Sequence, residues 1–172
     1  MSAPPNGHRA PFPDQSHDHG ECIEEAFARA ERICSERGVR LTDLRRAVLQ
    51  AVWRSHAPIG AYEILDSLKE EGRRAAPMTV HRALDFLIEN GLVHRLASQN
   101  AFLGCDHPEH AHRGQFLICR SCGVVGELSD DNIFKAICDS ARKTGFSVEV
   151  PMVEVIGLCR QCADNAPADA DE

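Results

Sequence analysis

The sequence lacks both a long apolar segment and a signal peptide. Of its 172 residues 43% are hydrophobic, but no run approaches the roughly 18 apolar residues that a membrane-spanning helix needs. Residues 1–20 are instead rich in Pro, Gly, His and Asp, a composition typical of a disordered tail. We therefore expect a soluble, cytoplasmic protein with no membrane partner.

A net positive charge is also missing. The chain has 19 Lys and Arg against 26 Asp and Glu, a net charge of −7, which argues against nonspecific coating of nucleic acid or membrane. The charge is uneven, however. Residues 37–95 contain ten Lys and Arg against seven Asp and Glu, a difference of +3, so the acidity lies outside that segment.

The motifs of the common zinc and thiol enzymes are absent as well. No His-Glu-x-x-His of a metalloprotease occurs. A nucleobase deaminase needs Pro-Cys-x-x-Cys, and neither Cys-x-x-Cys here follows a proline. Thioredoxin-like chemistry expects such a pair beside a βαβ pattern, which the sequence does not show. We expect no catalytic activity and no small-molecule substrate.

Eight cysteines are present, and in a cytosolic chain they favour metal binding over disulfides. Two pairs share the Cys-x-x-Cys spacing, Cys119 with Cys122 and Cys159 with Cys162. In each pair one tight turn can direct both sulfurs at one ion, so that the four thiolates predict a structural zinc site. Disulfides or redox thiols, and an iron–sulfur cluster, are the alternatives.

A second group of ligand types surrounds the first pair. One thiolate, two imidazoles and one carboxylate form a suitable zinc set, and the thiolate disfavours magnesium, calcium and manganese. The predicted ligands are His94, Cys105, His112 and Glu127. Because His94 precedes the expected domain junction and the others lie at or beyond it, an ion bound there would act as a switch between the two halves. The alternative is a solvated His-rich loop, and Asp106, His107 and His110 could either be surface residues or bind a further metal.

The first half of the chain predicts a winged helix-turn-helix. Apolar periodicity and capping residues indicate four helices followed by a hairpin, at residues 22–37, 42–55, 61–71, 78–90 and 92–105. On the helix stripes Cys22 and Cys34 are expected to be packing residues. We assign residues 21–97 to a DNA-binding domain whose last helix enters the major groove.

Three side chains in the first turns of that helix can reach base edges, namely Thr79, His81 and Arg82. Phosphate contacts are expected from Arg45 and Arg46, and from the basic loop that contains Arg73 and Arg74. The alternative is a helical protein-interaction domain, stabilised by zinc, in which these are ordinary surface residues.

The second half predicts a small α/β unit. Strand patterns occupy residues 115–128 and 147–156, a helix is expected at residues 132–144, and its inward residues are Ile133, Phe134, Ile137 and Ala141. We assign residues 98–163 to a dimerisation and metal-binding domain, because so small a sheet buries its surface poorly alone. Residues 164–172 predict an acidic disordered tail. The fold class is therefore α+β.

Several of these motifs together resemble the ferric uptake regulator family, and in particular its zinc uptake regulator branch. They are Leu41-Thr42 before Arg45-Arg46, the segment Thr79 to Leu87, Cys105 before the His-rich loop, and Gly157-Leu158-Cys159. The resemblance covers roughly residues 22–162. It implies a homodimer that, loaded with about two zinc ions per protomer, binds palindromic operators of zinc-uptake genes and represses them.

The same resemblance adds Tyr62 to the DNA-contacting positions, and it shows two departures. The family usually has Tyr where this chain has His81, a substitution that removes an aromatic contact to the sugar-phosphate or a thymine methyl. Many members have His where this chain has Ile156, so a further metal site built on that residue is not expected. An iron- or peroxide-responsive regulator of the same family is the alternative function, but Cys105 argues against it, because ferrous sensing is usually built on nitrogen and oxygen ligands.

Overall fold

The computed structural model describes residue 12 and residues 19–54, 57–106, 108, 114–128 and 130–165. The chain forms two compact units that divide between residues 112 and 113. The predicted division after residue 97 falls in the turn between two paired strands, and the hairpin stays whole in the first unit. In the parts of the chain that the structure describes, no helix is long and apolar enough to cross a membrane.

Four helices build the first unit, as the periodicity predicts. They are α1 (His19–Glu36), α2 (Asp43–Val52), α3 (Ala61–Glu70) and α4 (Pro77–Glu89). Thr42 caps α2 as expected, because its hydroxyl accepts a hydrogen bond from the Arg45 amide at 3.4 Å. Proline occupies the first turn of α4, where its missing N–H costs nothing.

A three-stranded antiparallel sheet completes the first unit. Strands β2 (Val93–Leu96) and β3 (Ala101–Gly104) form the predicted hairpin, and Asn100 in its turn has a positive φ of 47°. A short strand β1 (Ile59–Gly60) pairs with the other edge of β3. The sequence analysis does not predict β1, because two residues are too few to show an alternating pattern.

The helices and the hairpin of the first unit enclose an apolar core. Its fully buried side chains include Val48, Ile64, Leu68, Leu84 and Leu87. Cys34 is buried and Cys22 packs partly against the same cluster, as expected of packing residues. This core holds α4 on the sheet, so that the first turns of α4 project from a fixed base.

The second unit is a three-stranded sheet with two helices. Its elements are β4 (Gly114–Cys119), β5 (Val125–Leu128), α5 (Asp131–Lys143), β6 (Met152–Gly157) and α6 (Arg160–Asp164). The strand order is β5-β4-β6, with β5 antiparallel and β6 parallel to β4. Asp130 caps α5 by accepting a hydrogen bond from the Asn132 amide at 2.8 Å.

One prediction for the second unit is wrong in detail, and one element was not predicted. The last strand was expected to start at Ser147, but it starts at Met152, directly after Pro151, which has no N–H to offer to a strand ladder. The four residues of α5 predicted to face inward are half-buried, and no residue from 131 to 143 is buried within the described chain. The sequence also did not predict α6, whose five residues are shorter than a recognisable helical period.

Candidate metal centres and nucleic-acid interface

The pairing of β4 with β6 brings the two Cys-x-x-Cys pairs to one end of the second unit. Cys119 is the last residue of β4 and is in register with Gly157 at the end of the parallel strand β6. The first pair spans the tight turn after β4, and the second lies at the start of α6, where Cys159 is the N-cap residue. The first turn closes on hydrogen bonds from the Gly123 amide to the Cys119 carbonyl (2.9 Å) and from the Cys119 amide to the Val124 carbonyl (3.0 Å).

All four sulfur atoms of these pairs lie within 4.8 Å of one another. Cys119 and Cys159 are buried, Cys162 is half-buried and Cys122 is exposed. The sulfurs of Cys122 and Cys159 are 3.7 Å apart. In a tetrahedral zinc site with Zn–S bonds of about 2.3 Å, neighbouring sulfurs lie about 3.8 Å apart. The four sulfurs are therefore close enough together for a tetrahedral thiolate site.

The acidities of these thiols also suit a site for a cation. Hydrogen bonding from the backbones of Cys159 and Cys122 lowers the pKa of the Cys119 thiol to about 6. The Ser121 side chain lowers the pKa of Cys162, but hydrogen bonds with the side chains of Cys159 and Cys122 raise it by more, to about 12. Hydrogen bonding thus favours the thiolate at Cys119 and the protonated thiol at Cys162. A thiophilic cation would displace that proton.

A second pair of ligand atoms lies in the hairpin of the first unit. A ring nitrogen of half-buried His94 and the sulfur of Cys105 lie within 4.8 Å of each other. The register explains this proximity. His94 is opposite Leu103, so Cys105 is its diagonal neighbour on the same face, and the Cys105 amide donates a hydrogen bond to the Leu92 carbonyl at 3.1 Å.

The remaining residues of the predicted second site are placed less completely. Glu127 lies on β5 in the second unit, where it is half-buried and in register with Phe116. His112, His107 and His110 lie outside the described residues. Asp106 is exposed immediately after Cys105. The assignment of Glu127 and His112 as ligands thus stays a prediction.

The start of α4 presents polar side chains to solvent. Thr79, His81 and Arg82 are all exposed, whereas Val80 between them is buried. Among the residues that the structure describes, none forms an ion pair or hydrogen bond with the Arg82 guanidinium. Tyr62, on α3 of the same unit, is 74% exposed. These side chains are available for contact with a partner molecule, and their assignment to DNA contacts stays a prediction.

Three of the four arginines predicted to contact phosphates have partners within the first unit. The Arg45 guanidinium lies over the Phe86 ring, 3.4 Å from its centroid, and Arg46 forms an ion pair with Glu31. Arg73 and Arg74 are exposed in the loop before α4, and Arg73 forms an ion pair with Glu71 at 3.7 Å. Phe86 and Glu31 were not recognised as partners, because they lie far from α2 in sequence and no local spacing indicates them.

Comparison with known proteins gives consistent matches. A family model described as the ferric uptake regulator family matches residues 36–156. The zinc uptake regulation protein of Escherichia coli (strain K12) is 39% identical over 144 residues, which cover 82% of this chain and 83% of that protein.

Two solved structures are similar in fold and sequence. One, of a zinc uptake regulator complexed with zinc and DNA, has a TM-score of 0.78 and 37% identity, and the match covers 83% of this chain and 96% of that chain. The other, a crystal structure of holo XcZur, has a TM-score of 0.75 and 43% identity, with 83% and 99% of the two chains covered.

Proposed function

This chain belongs to the ferric uptake regulator family, and we propose that it is a zinc-responsive transcriptional repressor. In this proposal a zinc-loaded homodimer binds palindromic operators of zinc-uptake genes in the cytoplasm. The observation that carries the proposal is the likeness of the chain to a zinc uptake regulator complexed with zinc and DNA. The protein acts by binding, and it is not an enzyme.

The structural zinc is assigned to Cys119, Cys122, Cys159 and Cys162. Support comes from the mutual distances of the four sulfurs and from the low pKa of one of them. Bound zinc supplies a tetrahedral cross-link between thiolates. The two pairs hold the ends of β4 and β6 beside each other, and that pairing orders the edge of the sheet.

The regulatory zinc is assigned to His94, Cys105, His112 and Glu127, which makes about two zinc ions per protomer. The proximity of the first two ligand atoms in one hairpin supports the assignment, and the thiolate favours zinc over harder cations. These ligands come from both sides of the division between the units along the chain. Ligation by all four would therefore favour one conformation of the chain over others, which is how a metal can control DNA affinity.

Operator recognition is assigned to the first turns of α4 in the major groove. Arg82 is exposed and can donate two hydrogen bonds to a guanine, worth about 1–3 kcal/mol of discrimination against other bases. Thr79 and His81 flank it, and Tyr62 offers a further contact from α3. All four predicted arginines are candidates for phosphate contacts: Arg74 is exposed, whereas Arg73, Arg45 and Arg46 must first exchange a partner within the first unit.

Dimerisation is assigned to the second unit. Strand β6 lies at the edge of its sheet and exposes the apolar side chains of Met152, Val155 and Ile156. An apolar edge strand left in water is an aggregation risk that proteins cover. Pairing with a second copy covers it and also presents two α4 helices to the two halves of a palindrome.

The function is tested by metal content and operator binding, measured together on wild type and Cys105→Ser. We expect two zinc ions per wild-type protomer, one of which a chelator removes with loss of operator affinity. Cys105→Ser should retain the structural zinc and the dimer, but lose the zinc-dependent gain in affinity, which we expect to be about 100-fold.

Cys138→Ser is the matched control, because Cys138 is a half-buried cysteine of neither predicted site, and it should behave as wild type. Buffered ferrous iron is titrated in parallel. If iron alone restored operator binding, or if Cys105→Ser kept its full zinc response, the zinc-responsive function would be wrong.

A further inference from the structure

We propose that Trp53 is a positioning residue for the regulatory metal site, because its indole packs against Gly104 and thereby fixes the adjacent ligand Cys105 toward His94. The inference rests on the proposed function in that it takes these two residues as zinc ligands. It concerns only contacts within the first unit. No sequence motif indicates it, since Trp53 and Gly104 lie on different elements.

The two faces of the hairpin have different surroundings. Side chains alternate along a strand, so Cys105 and Gly104 face opposite sides of the sheet. Cys105 shares a face with His94, as the register of His94 with Leu103 requires. Gly104 is opposite Val93, which is buried in the apolar core. The ligand pair therefore lies on one face, and the contact with the helical core lies on the other.

Trp53 occupies the space where a side chain at position 104 would stand. A Cβ on Gly104 would lie 2.4 Å from Cε2, 2.6 Å from Nε1 and 2.8 Å from Cζ2 of the indole. Trp53 is only 4% exposed and belongs to the core cluster. It follows the last turn of α2, where its amide donates a hydrogen bond to the Leu49 carbonyl at 3.0 Å. The ring is thus a rigid surface that admits only glycine at this point of β3.

This contact has a consequence for metal binding. A zinc ion with Zn–N and Zn–S bonds of about 2.0–2.3 Å requires its nitrogen and sulfur ligands about 3.6 Å apart. A shift of the strand by even ~0.5 Å therefore moves the ligands out of this geometry and weakens zinc binding. Cys105 is fixed by its amide hydrogen bond to Leu92 and by the packing of Gly104. Groups that orient metal ligands without touching the metal commonly contribute about 10–100-fold to affinity.

The test measures zinc affinity by chelator competition for wild type, Gly104→Ala, Trp53→Leu and the double variant. Gly104→Ala forces β3 away from the indole, and we expect the regulatory site to lose at least about tenfold in affinity while the structural zinc is retained. Trp53→Leu lacks all three contacting atoms, so it should weaken the same site by loosening Cys105. In the double variant the added methyl group has room, and most of the lost affinity should return.

Gly60→Ala serves as the matched control in the same sheet. Its Cβ would meet only the flexible Glu63 carboxylate, at 3.0 Å, so zinc affinity should equal that of wild type. Cobalt substitution gives an independent readout, because the thiolate-to-cobalt absorption of the regulatory site should change in Gly104→Ala and be restored in the double variant.

If the Gly104→Ala variant folds and its regulatory site binds zinc with wild-type affinity, the inference is wrong. If that variant does not fold, Trp53→Leu decides: a weaker regulatory site supports the positioning role, and an unchanged one refutes it. A wild-type protein that binds only one zinc would instead overturn the proposed function, and the inference with it.

Discussion

The two compact units of this protein are stabilised in different ways. In the first unit the helices and the hairpin surround side chains that are wholly buried, among them Ile64, Leu84 and Leu87. In the second unit the buried apolar side chains lie mainly on the strands, such as Phe116 and Ile118, and no residue from 131 to 143 is buried. Several apolar side chains of that unit are exposed, including Phe146 and Val150.

The difference shows what each unit needs in order to fold. Burying one large aliphatic side chain contributes about 1.5–3 kcal/mol, so a contiguous core such as that of the first unit can offset the chain entropy by itself. The second unit has too few such side chains, but it has four cysteines whose sulfurs lie together. Metal ligation and a partner surface can supply there what apolar burial supplies in the first unit.

The largest effect is expected from Cys159→Ser, which removes one buried ligand of the four-cysteine centre. Structural zinc sites contribute about 10–16 kcal/mol of apparent binding free energy to folding. We expect loss of the structural zinc and unfolding of the second unit, while the first unit stays folded. Hydrogen exchange resolved by peptide should show this, with protection lost in residues 114–165 and kept in residues 43–104.

Cys138→Ser is the control for that experiment, because it changes a cysteine of the same unit that lies outside the cluster. It should leave the zinc content and the protection of both units unchanged. Should Cys159→Ser keep a protected second unit without its zinc, the apolar contacts of that unit would be sufficient, and the contrast between the units would fail.

A smaller effect is expected from Leu87→Ala in the first unit. Leu87 is 0% exposed on α4, and truncation of a buried leucine commonly costs about 2–5 kcal/mol. Denaturant unfolding followed by the emission of Trp53, the single tryptophan of the chain, reports on this unit. Ile156→Ala is the counterpart in the second unit, where the side chain is 61% exposed, and it should leave that transition unchanged. If Leu87→Ala and Ile156→Ala lowered the free energy of unfolding equally, Leu87 would not belong to the core of the first unit.

The same contrast explains how far the sequence predicted the structure. In the first unit the helices and the hairpin were predicted well, because burial on one face leaves a clear period in the sequence. In the second unit the apolar positions of α5 predicted the helix correctly, and the side chains on its predicted inward face are half-buried. Pro151 indicates in the sequence that β6 starts after it, because proline has no N–H to donate to a strand ladder.

The candidate sites also differ in how far the sequence predicted them. The four-cysteine cluster could be predicted because each pair is local and its turn determines the geometry. The neighbours of Arg45 and Arg46 could not, because Phe86 and Glu31 meet them only through packing of distant elements. For the same reason nothing in the sequence indicated that Trp53 packs against Gly104.

Val155→Asp on β6 is expected to have the smallest effect on the stability of the protomer. Its effect on dimerisation is expected to be large. Val155 is 49% exposed, so the charge stays solvated in an isolated chain and should change the unfolding of the first unit by less than about 0.5 kcal/mol. In a dimer that covers this edge, two carboxylates would be buried together, which opposes association. Val39→Asp is the matched control, because Val39 is a 39% exposed valine of the first unit. Sedimentation should show a monomer for Val155→Asp and a dimer for Val39→Asp, and a dimer in both would exclude the β6 edge as the interface.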